Sequence, residues 1–459
     1  MARGARRGRR VAARRALRAR GDHERAARCS LAAAERAIRS GDATAALRIA
    51  ERGLASAAGA AAGSGGATRS ALLGIACEAL VWRNDVEAAL PHAEEVVRAA
   101  PAGSMPWVRG VLVKLRALLC RDAPAETAAL SELLLQVEPT AEAANLVVFA
   151  LGATSIVADV AGRLDFAARI TARTAALAAR FGEQQPDVPA WAIAAEAHRV
   201  GYVAEDPWAG LTQAAVAEEI CRRTGNRRLQ LLLSAVRGTS LWYLGALDEA
   251  ERELGALAAV HPELGLLSAY PMFCRSGVLA DRGALDEARA EAERLVASAR
   301  ARGVGLDEGR GRWALGAALL RAGRLEEAER EVLAARELLA AVALDAPGLL
   351  ATLAAARLAA GRVDEALAAA SEGLDRYLAQ GAAGFFRGAQ VRLVHAECLH
   401  GAGRIDEARG AVASARERLL AIAARIEDPA YRRMFLEDVP ENARTLELAR
   451  AWQGGGGDR

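Results

Sequence analysis

Gly323-Arg324-Leu325-Glu326-Glu327-Ala328 is a six-residue phrase that the chain repeats. It returns as Gly245-Ala246-Leu247-Asp248-Glu249-Ala250, Gly283-Ala284-Leu285-Asp286-Glu287-Ala288, Gly361-Arg362-Val363-Asp364-Glu365-Ala366 and Gly403-Arg404-Ile405-Asp406-Glu407-Ala408. Gly162-Arg163-Leu164-Asp165-Phe166-Ala167 is a worn copy. Each places a glycine where a helix can stop in a left-handed turn, then an acidic helix start, then a small residue for close packing. That combination is the elbow of a helical hairpin. A pair of acids, Asp-Glu in four clean copies and Glu326-Glu327 in the other, recurs in every clean hairpin, so the pairs read as helix starts rather than as acid/base chemistry.

The clean elbow glycines stand 38, 40, 38 and 42 residues apart. Upstream, Gly41-Asp42 is a degenerate first elbow. Asn84-Asp85-Val86-Glu87-Ala88-Ala89 is a variant with asparagine at the left-handed position. The steps from 84 to 162 and from 162 to 245 are 78 and 83 residues, each close to two periods, so one further repeat is expected inside each. A period near 40 made of two helices means stacked hairpins sharing one core, an α-solenoid. Seven residues before the elbow glycines stand Ser155, Gly238, Ser276, Gly316, Ala354 and Ala396, all small. Five after stand Ala167, Ala250, Ala288, Ala328, Ala366 and Ala408. Small residues on both arms let the two helices interlock.

Composition agrees. Apolar residues are 53% and charged residues 25% of 459, enough for a large core, while aromatics are only 4%. A formal net charge of +3 makes no case for nucleic acid. The six cysteines are scattered without a CxxC pair, which excludes a zinc knuckle or disulfide framework and favours a reducing, cytoplasmic compartment. No uninterrupted apolar run is long enough for a membrane span.

Residues 1–20 carry nine arginines and read as a solvated basic tail, with phosphate contact the alternative role. Divergent hairpins are expected over 21–229, interrupted by a Gly/Ala/Ser loop at 57–67 and by prolines between Pro101 and Pro106. Gly201 to Gly210 is the least repeat-like stretch, an insertion or a decayed repeat. Regular repeats occupy 230–425, a helical cap 426–452 and a flexible tail 453–459. In the cap, Asp428 reads as an N-cap with Pro429 at the first helical position, and a second helix starts at Pro440. Met434, Phe435, Leu436 and Val439 are then expected to plug the open end of the last hairpin.

The elbows and their small-residue register resemble the tetratricopeptide repeat, best at the hairpin with Leu315, Gly316, Leu319, Ala328 and Ala335. The family's early aromatic is displaced or missing in most copies, and the period exceeds its usual 34. The ending Asp428-Pro429…Arg432…Phe435-Leu436…Val439-Pro440-Glu441-Asn442 is similar to the C-terminal end of large myxobacterial serine/threonine kinases that carry a STAND/AAA-type ATPase. The resemblance implies an all-α fold, a right-handed solenoid of about ten hairpins with a short helical cap. It also implies a protein or peptide partner, with a kinase or STAND-type ATPase a candidate.

The relatives' catalysis is not written in this chain. A Walker A loop needs its lysine after a glycine-rich turn, yet the single lysine, Lys114, stands in Val113-Lys114-Leu115. The kinase motifs HRD and DFG are missing from the sequence. His395, Cys398 and His400 are the one cluster of metal-ligand types. On a helix His400 points away from the other two, so a packed core histidine is the simpler reading and neither metal nor cofactor is expected. What remains is a surface. In such a solenoid the first helices line a groove, and transferring that register gives Trp242, Tyr243, Tyr270, Phe273, Asp281, Arg310, Trp313, Arg321, Gln390 and His400 as partner-binding candidates. Arg310 and Arg321 stand out, because an arginine is costly to bury unpaired.

Overall fold

The computed structural model describes residues 22–58, 66–83, 85–120, 123–160, 163–259, 269–340, 342–382 and 387–453. Ten helical hairpins follow one another among them. The first five pair 22–39 with Ala43–Ala58, Gly66–Trp82 with Val86–Ala99, Met105–Cys120 with Pro124–Gln136, Ala144–Val160 with Leu164–Phe181, and Asp187–His198 with Pro207–Thr224. The second five pair Arg227–Tyr243 with Leu247–Ala259, Ala269–Asp281 with Leu285–Arg302, Gly305–Arg321 with Leu325–Leu338, Ala346–Ala359 with Val363–Ala379, and Gly388–Gly401 with Ile405–Ala423. Two short helices, Pro429–Glu437 and Pro440–Gln453, end the chain. No strand occurs among the described residues. The fold is an all-α solenoid of tetratricopeptide-like hairpins. The two hairpins missing from the elbow pattern are the third and the fifth. Asn84 and Gly162, the arginine-rich 1–20, positions 59–65 of the loop and 454–459 of the tail lie outside the described residues.

The elbow glycines take the conformation that only glycine adopts freely: φ is +82° at Gly245, +79° at Gly283, +74° at Gly323, +76° at Gly361 and +72° at Gly403. At Gly323 the amide donates to Leu320 O at 3.0 Å and the next amide, Arg324 N–H, reaches Leu319 O at 2.9 Å. This double closure satisfies carbonyls that the helix end leaves open. Gly41 at +88° does the same in the first hairpin. The elbow acids act differently from a cap. No side-chain cap bond is made at the starts of Leu285–Arg302, Leu325–Leu338, Val363–Ala379 or Ile405–Ala423. The acids stand in the first turn, where their charge meets the positive helix end. There Glu327 takes both arms of Arg324 at 2.6 Å.

The small residues sit where the arms cross. A Cβ at Gly238 would lie 2.7 Å from Leu254 Cγ, and one at Gly316 2.5 Å from Val332 Cγ2. Ser276 donates its hydroxyl to the carbonyl of Ala288 at 2.9 Å. Opposite them Ala250, Ala288, Ala328, Ala366 and Ala408 are wholly buried. Successive hairpins are also stitched by arginines. Arg237 reaches Glu218 of the preceding hairpin at 3.0 Å and Glu253 of its own at 3.1 Å. Arg275 reaches Glu251 at 2.8 Å and Glu291 at 2.7 Å in the same way.

Packing divides the chain into two units. Unit 1 comprises the described residues to Leu151 with Ala179–Val188 and Asn226–Arg228. Its second and third hairpins are joined by a buried pair, Arg109 to Glu78 at 2.6 Å. Close approach there needs Gly74, whose Cβ would lie 2.9 Å from Pro106 Cα. Unit 2 comprises Gly152–Ala178, Pro189–Gly225 and the described residues from Leu229.

In unit 2 the ending does more than plug a hairpin. Leu448 and Ala449 do pack on Leu393, Ala396 and Val412 of the last hairpin. Phe435 and Val439, however, share a core with Leu244 of the sixth hairpin as well as Leu419, Ile422 and Ile426. Gly245 makes this approach tight: a Cβ there would lie 2.6 Å from Met434 O. The elbow glycine thus has a second use that periodicity does not announce. Ala328→Phe is expected to overpack the hairpin crossing and destabilise the chain by ~1–3 kcal/mol. A calorimetric melt reads this as a lowered transition, and an unchanged melt contradicts the packing described here.

Candidate functional site

The ends of the first helices converge in unit 2. Trp242 stands three residues before its elbow glycine, and Asp281 and Arg321 stand two before theirs. They line a cavity of about 100 Å³ together with Phe273, Trp313 and Gln390, and with Arg387 and Glu441. Six of the ten sequence candidates therefore meet at one place, contributed by the first helices of the sixth, seventh, eighth and tenth hairpins.

Asp281 is the hub. Its side chain is 1% exposed. Its Oδ2 accepts from the Trp242 indole N–H at 2.8 Å and from Arg387 Nη2 at 2.7 Å, while Arg321 Nη2 lies 2.5 Å from Oδ1. Both arginines also reach Glu441 of the last helix, Arg321 at 3.6 Å and Arg387 at 3.3 Å. The Arg387 guanidinium lies 4.9 Å from the centre of the Trp242 ring, within cation–π range. Gly277 gives that ring its place, since a Cβ there would lie 2.5 Å from Trp242 Cη2. On the apolar side Phe273 and Trp313 pack with ring centres 5.3 Å apart. The Trp313 N–H donates to Thr352 Oγ1 at 3.0 Å.

The other candidates go elsewhere. Tyr243 borders a second, smaller cavity of about 40 Å³. Tyr270 packs between His198 and Phe273, with ring centres 6.3 and 6.4 Å away. Arg310 bonds Asp345, which is fully buried, at 2.8 Å and is spent on structure. Neither Arg310 nor Arg321 is an unpaired arginine, so the reason for singling them out from sequence does not hold. Only Arg321 keeps a third of its side chain exposed beside the cavity. His400 stacks on Trp452 at 4.5 Å, outside the cavity.

His395 is half-buried and held below the usual histidine range, first by burial and then by the charge of Arg404. Burial pushes the Cys398 thiol up to about 12. Among the described residues no group of three or more His, Cys, Asp or Glu side chains is placed to hold a metal. No described helix is long and apolar enough to cross a membrane.

Sequence reasoning missed Arg387, Glu441 and Asn442, although two of them lie in the Asp428-to-Asn442 ending. Each polar residue of that ending has a definite contact. Asp428 Oδ1 caps its helix by accepting from Ala430 N–H at 2.7 Å. Arg432 donates to Ile426 O at 2.9 and 2.7 Å, which closes the preceding turn. Asn442 Nδ2 donates to Phe435 O at 2.7 Å and fixes the last helix, so that Glu441 faces the arginines.

No protein-family model matches the chain, and no curated protein matches it. A solved Rap protein in complex with competence and sporulation factor is similar, with 12% identity over 76% of this chain and 98% of that one and a TM-score of 0.47. So is the APC/C hetero-tetramer Cut9–Hcn1, with 12% identity over 93% of this chain and 95% of that one and a TM-score of 0.40. A third similar structure is a signal-transduction ATPase with numerous domains and a tetratricopeptide-repeat sensor from Pyrococcus horikoshii. There the identity is 13% over 76% of this chain and 53% of that one, with a TM-score of 0.42. At these values the likeness adds nothing to what the hairpins themselves establish and carries no inference about ligand or activity.

Proposed function

We propose that the chain is a non-catalytic protein-interaction scaffold whose first-helix groove in unit 2 takes a peptide or a segment of a partner protein. The observation that carries this reading is the cavity of about 100 Å³, where Trp242, Phe273 and Trp313 stand beside an arginine-carboxylate network. Aromatic rings next to arginines are the side chains that most often anchor partners, because they bring large area with few rotamers to lose. The carboxylates at the cavity are engaged by arginines and by the Trp242 indole, which suits a rigid recognition surface better than proton transfer. The balanced charges leave the aromatic wall as the place for an apolar side chain. Displayed random peptides selected on the full chain supply the test. Ala317→Trp fills the cavity from an inward position on Gly305–Arg321, and is expected to weaken selected peptides about tenfold or more by calorimetry. Unchanged affinities contradict the reading.

The setting that fits this scaffold is cytoplasmic bacterial signalling, with a serine/threonine kinase or STAND-type ATPase as the regulated partner, in trans or in the same polypeptide. Support comes from the ending 428–442, which resembles the end of such kinases and delivers Glu441 to the groove. On the same-polypeptide reading, genomic sequence upstream of Met1 is expected to hold an in-frame kinase or ATPase module. A stop codon just upstream contradicts that version and leaves regulation in trans. The arginine-rich start, the basis for the nucleic-acid alternative, lies outside the described residues.

A further inference from the structure

The stretch that fits the repeat worst places a carboxylate inside the C-terminal repeats. Glu205 follows a π-helical turn, Arg199–Val203, and precedes the helix Pro207–Thr224. It has a left-handed backbone, φ +53°, which a glutamate adopts only at a cost in strain. Its side chain is nevertheless buried. Oε1 accepts from the Tyr377 hydroxyl. Oε2 accepts from Arg418 at 3.3 and 3.1 Å and lies 3.8 Å from Arg392. Arg392 also donates to the Tyr377 oxygen at 2.8 Å and lies over its ring. Arg425 holds the backbone, donating to Glu205 O at 3.1 Å and pairing with Asp206 at 3.0 Å. Gly388 supplies the room, because a Cβ there would run into both Glu205 Oε1 and the Tyr377 hydroxyl.

These groups form a seat with defined chemistry. A planar two-oxygen anion receives a hydroxyl on one side and guanidinium N–H groups on the other, which is the arrangement that recognises a carboxylate. The seat also has space beside it. The cavity of about 40 Å³ borders Glu205, Arg392 and Arg418. Two residues of its wall, Arg387 and Asn442, keep a buried polar atom, Nη1 and Oδ1, without a hydrogen-bond partner among the described residues. A donor and an acceptor left over beside a carboxylate seat are what an incoming peptide unit would use. Arg418 is 37% exposed, so the seat opens to solvent.

We propose that Tyr377, Arg392 and Arg418 form a carboxylate-binding pocket which Glu205 fills from within the chain, and that an acidic side chain of a partner peptide binds by displacing it. The proposal rests on the groove reading above and adds the charge of the ligand. Glu205 enters on a strained backbone, whereas a peptide glutamate makes the same bonds unstrained and can also satisfy Asn442 and Arg387. The occupant is therefore a competitor of the partner, and the carboxylate seat is closed until an acidic segment arrives.

The test uses the full chain, with Glu205→Gly as the key variant. Glycine accepts the left-handed backbone without strain and empties the seat. Rhodamine-labelled hexaglutamate, followed by anisotropy, is expected to bind this variant about tenfold more tightly than the unaltered chain. Adding Arg392→Met and Arg418→Met is expected to remove the gain, and hexaglutamine is expected not to bind. Equal affinity of hexaglutamate for the unaltered chain and Glu205→Gly overturns the proposal. So does tighter binding by a phosphoserine peptide. If Glu205→Gly melts too early for titration, its melt is compared in acetate and in chloride at equal ionic strength. Preferential stabilisation by acetate supports the seat, and identical melts overturn it. Ala317→Trp in the Glu205→Gly background is expected to leave hexaglutamate binding intact, so failure of the aromatic cavity and failure of the carboxylate seat are read separately.

Discussion

Asp281 is a carboxylate with almost no contact with water, and unit 2 depends on keeping it paired. A buried charge that loses its partner costs about 3–5 kcal/mol, more than most single contacts return. Its partners come from the sixth hairpin through Trp242, the eighth through Arg321 and the start of the tenth through Arg387. The last helix adds Glu441 to the same arginines. A solenoid is usually held by neighbour contacts alone. Here residues 106 positions apart share one ion pair, so the sixth, eighth and tenth hairpins must all be in place before the charge is fully partnered. A buried ion network is a weak source of net stability, and this one ties the first helices of the sixth, seventh and eighth hairpins to the start of the tenth and to the last helix.

That constraint explains why the groove has two chemistries side by side. The side near Trp313 and Phe273 is apolar and fits a hydrophobic anchor. The side near Arg392 and Arg418 is cationic and is occupied by Glu205. Arg387 belongs to the walls of both cavities and ties them electrostatically. A ligand reaching across would bring an apolar and an acidic side chain close together in sequence. The chain's own Glu205 already supplies the acidic half.

The elbows were legible because each needs something only a few residues give: glycine for positive φ, alanine for the crossing. Register then carried Trp242, Phe273, Asp281, Trp313, Arg321 and Gln390 into one cavity. The same register failed at His400, whose ring stacks on Trp452 of the ending outside the cavity, and at Arg310, which a loop residue, Asp345, captures. The contacts of Glu205 were not legible. Its partners lie 172 and 213 residues away, and no periodicity reports which distant turn will meet which arginine. The one hint was local, the break in the repeat between Gly201 and Gly210. Such a break marks a place where the hairpin rule has yielded to another contact.

The central claim is that one polar knot couples the seventh hairpin to the ending of the chain. A double-mutant cycle with Asp281→Asn and Glu441→Gln, read by denaturant unfolding of the full chain, tests it most directly. The two carboxylates share Arg321 and Arg387, so the account predicts non-additive losses with a coupling of about 0.5–3 kcal/mol. Losses that simply add would show that the ending and the seventh hairpin are energetically independent, and would contradict it.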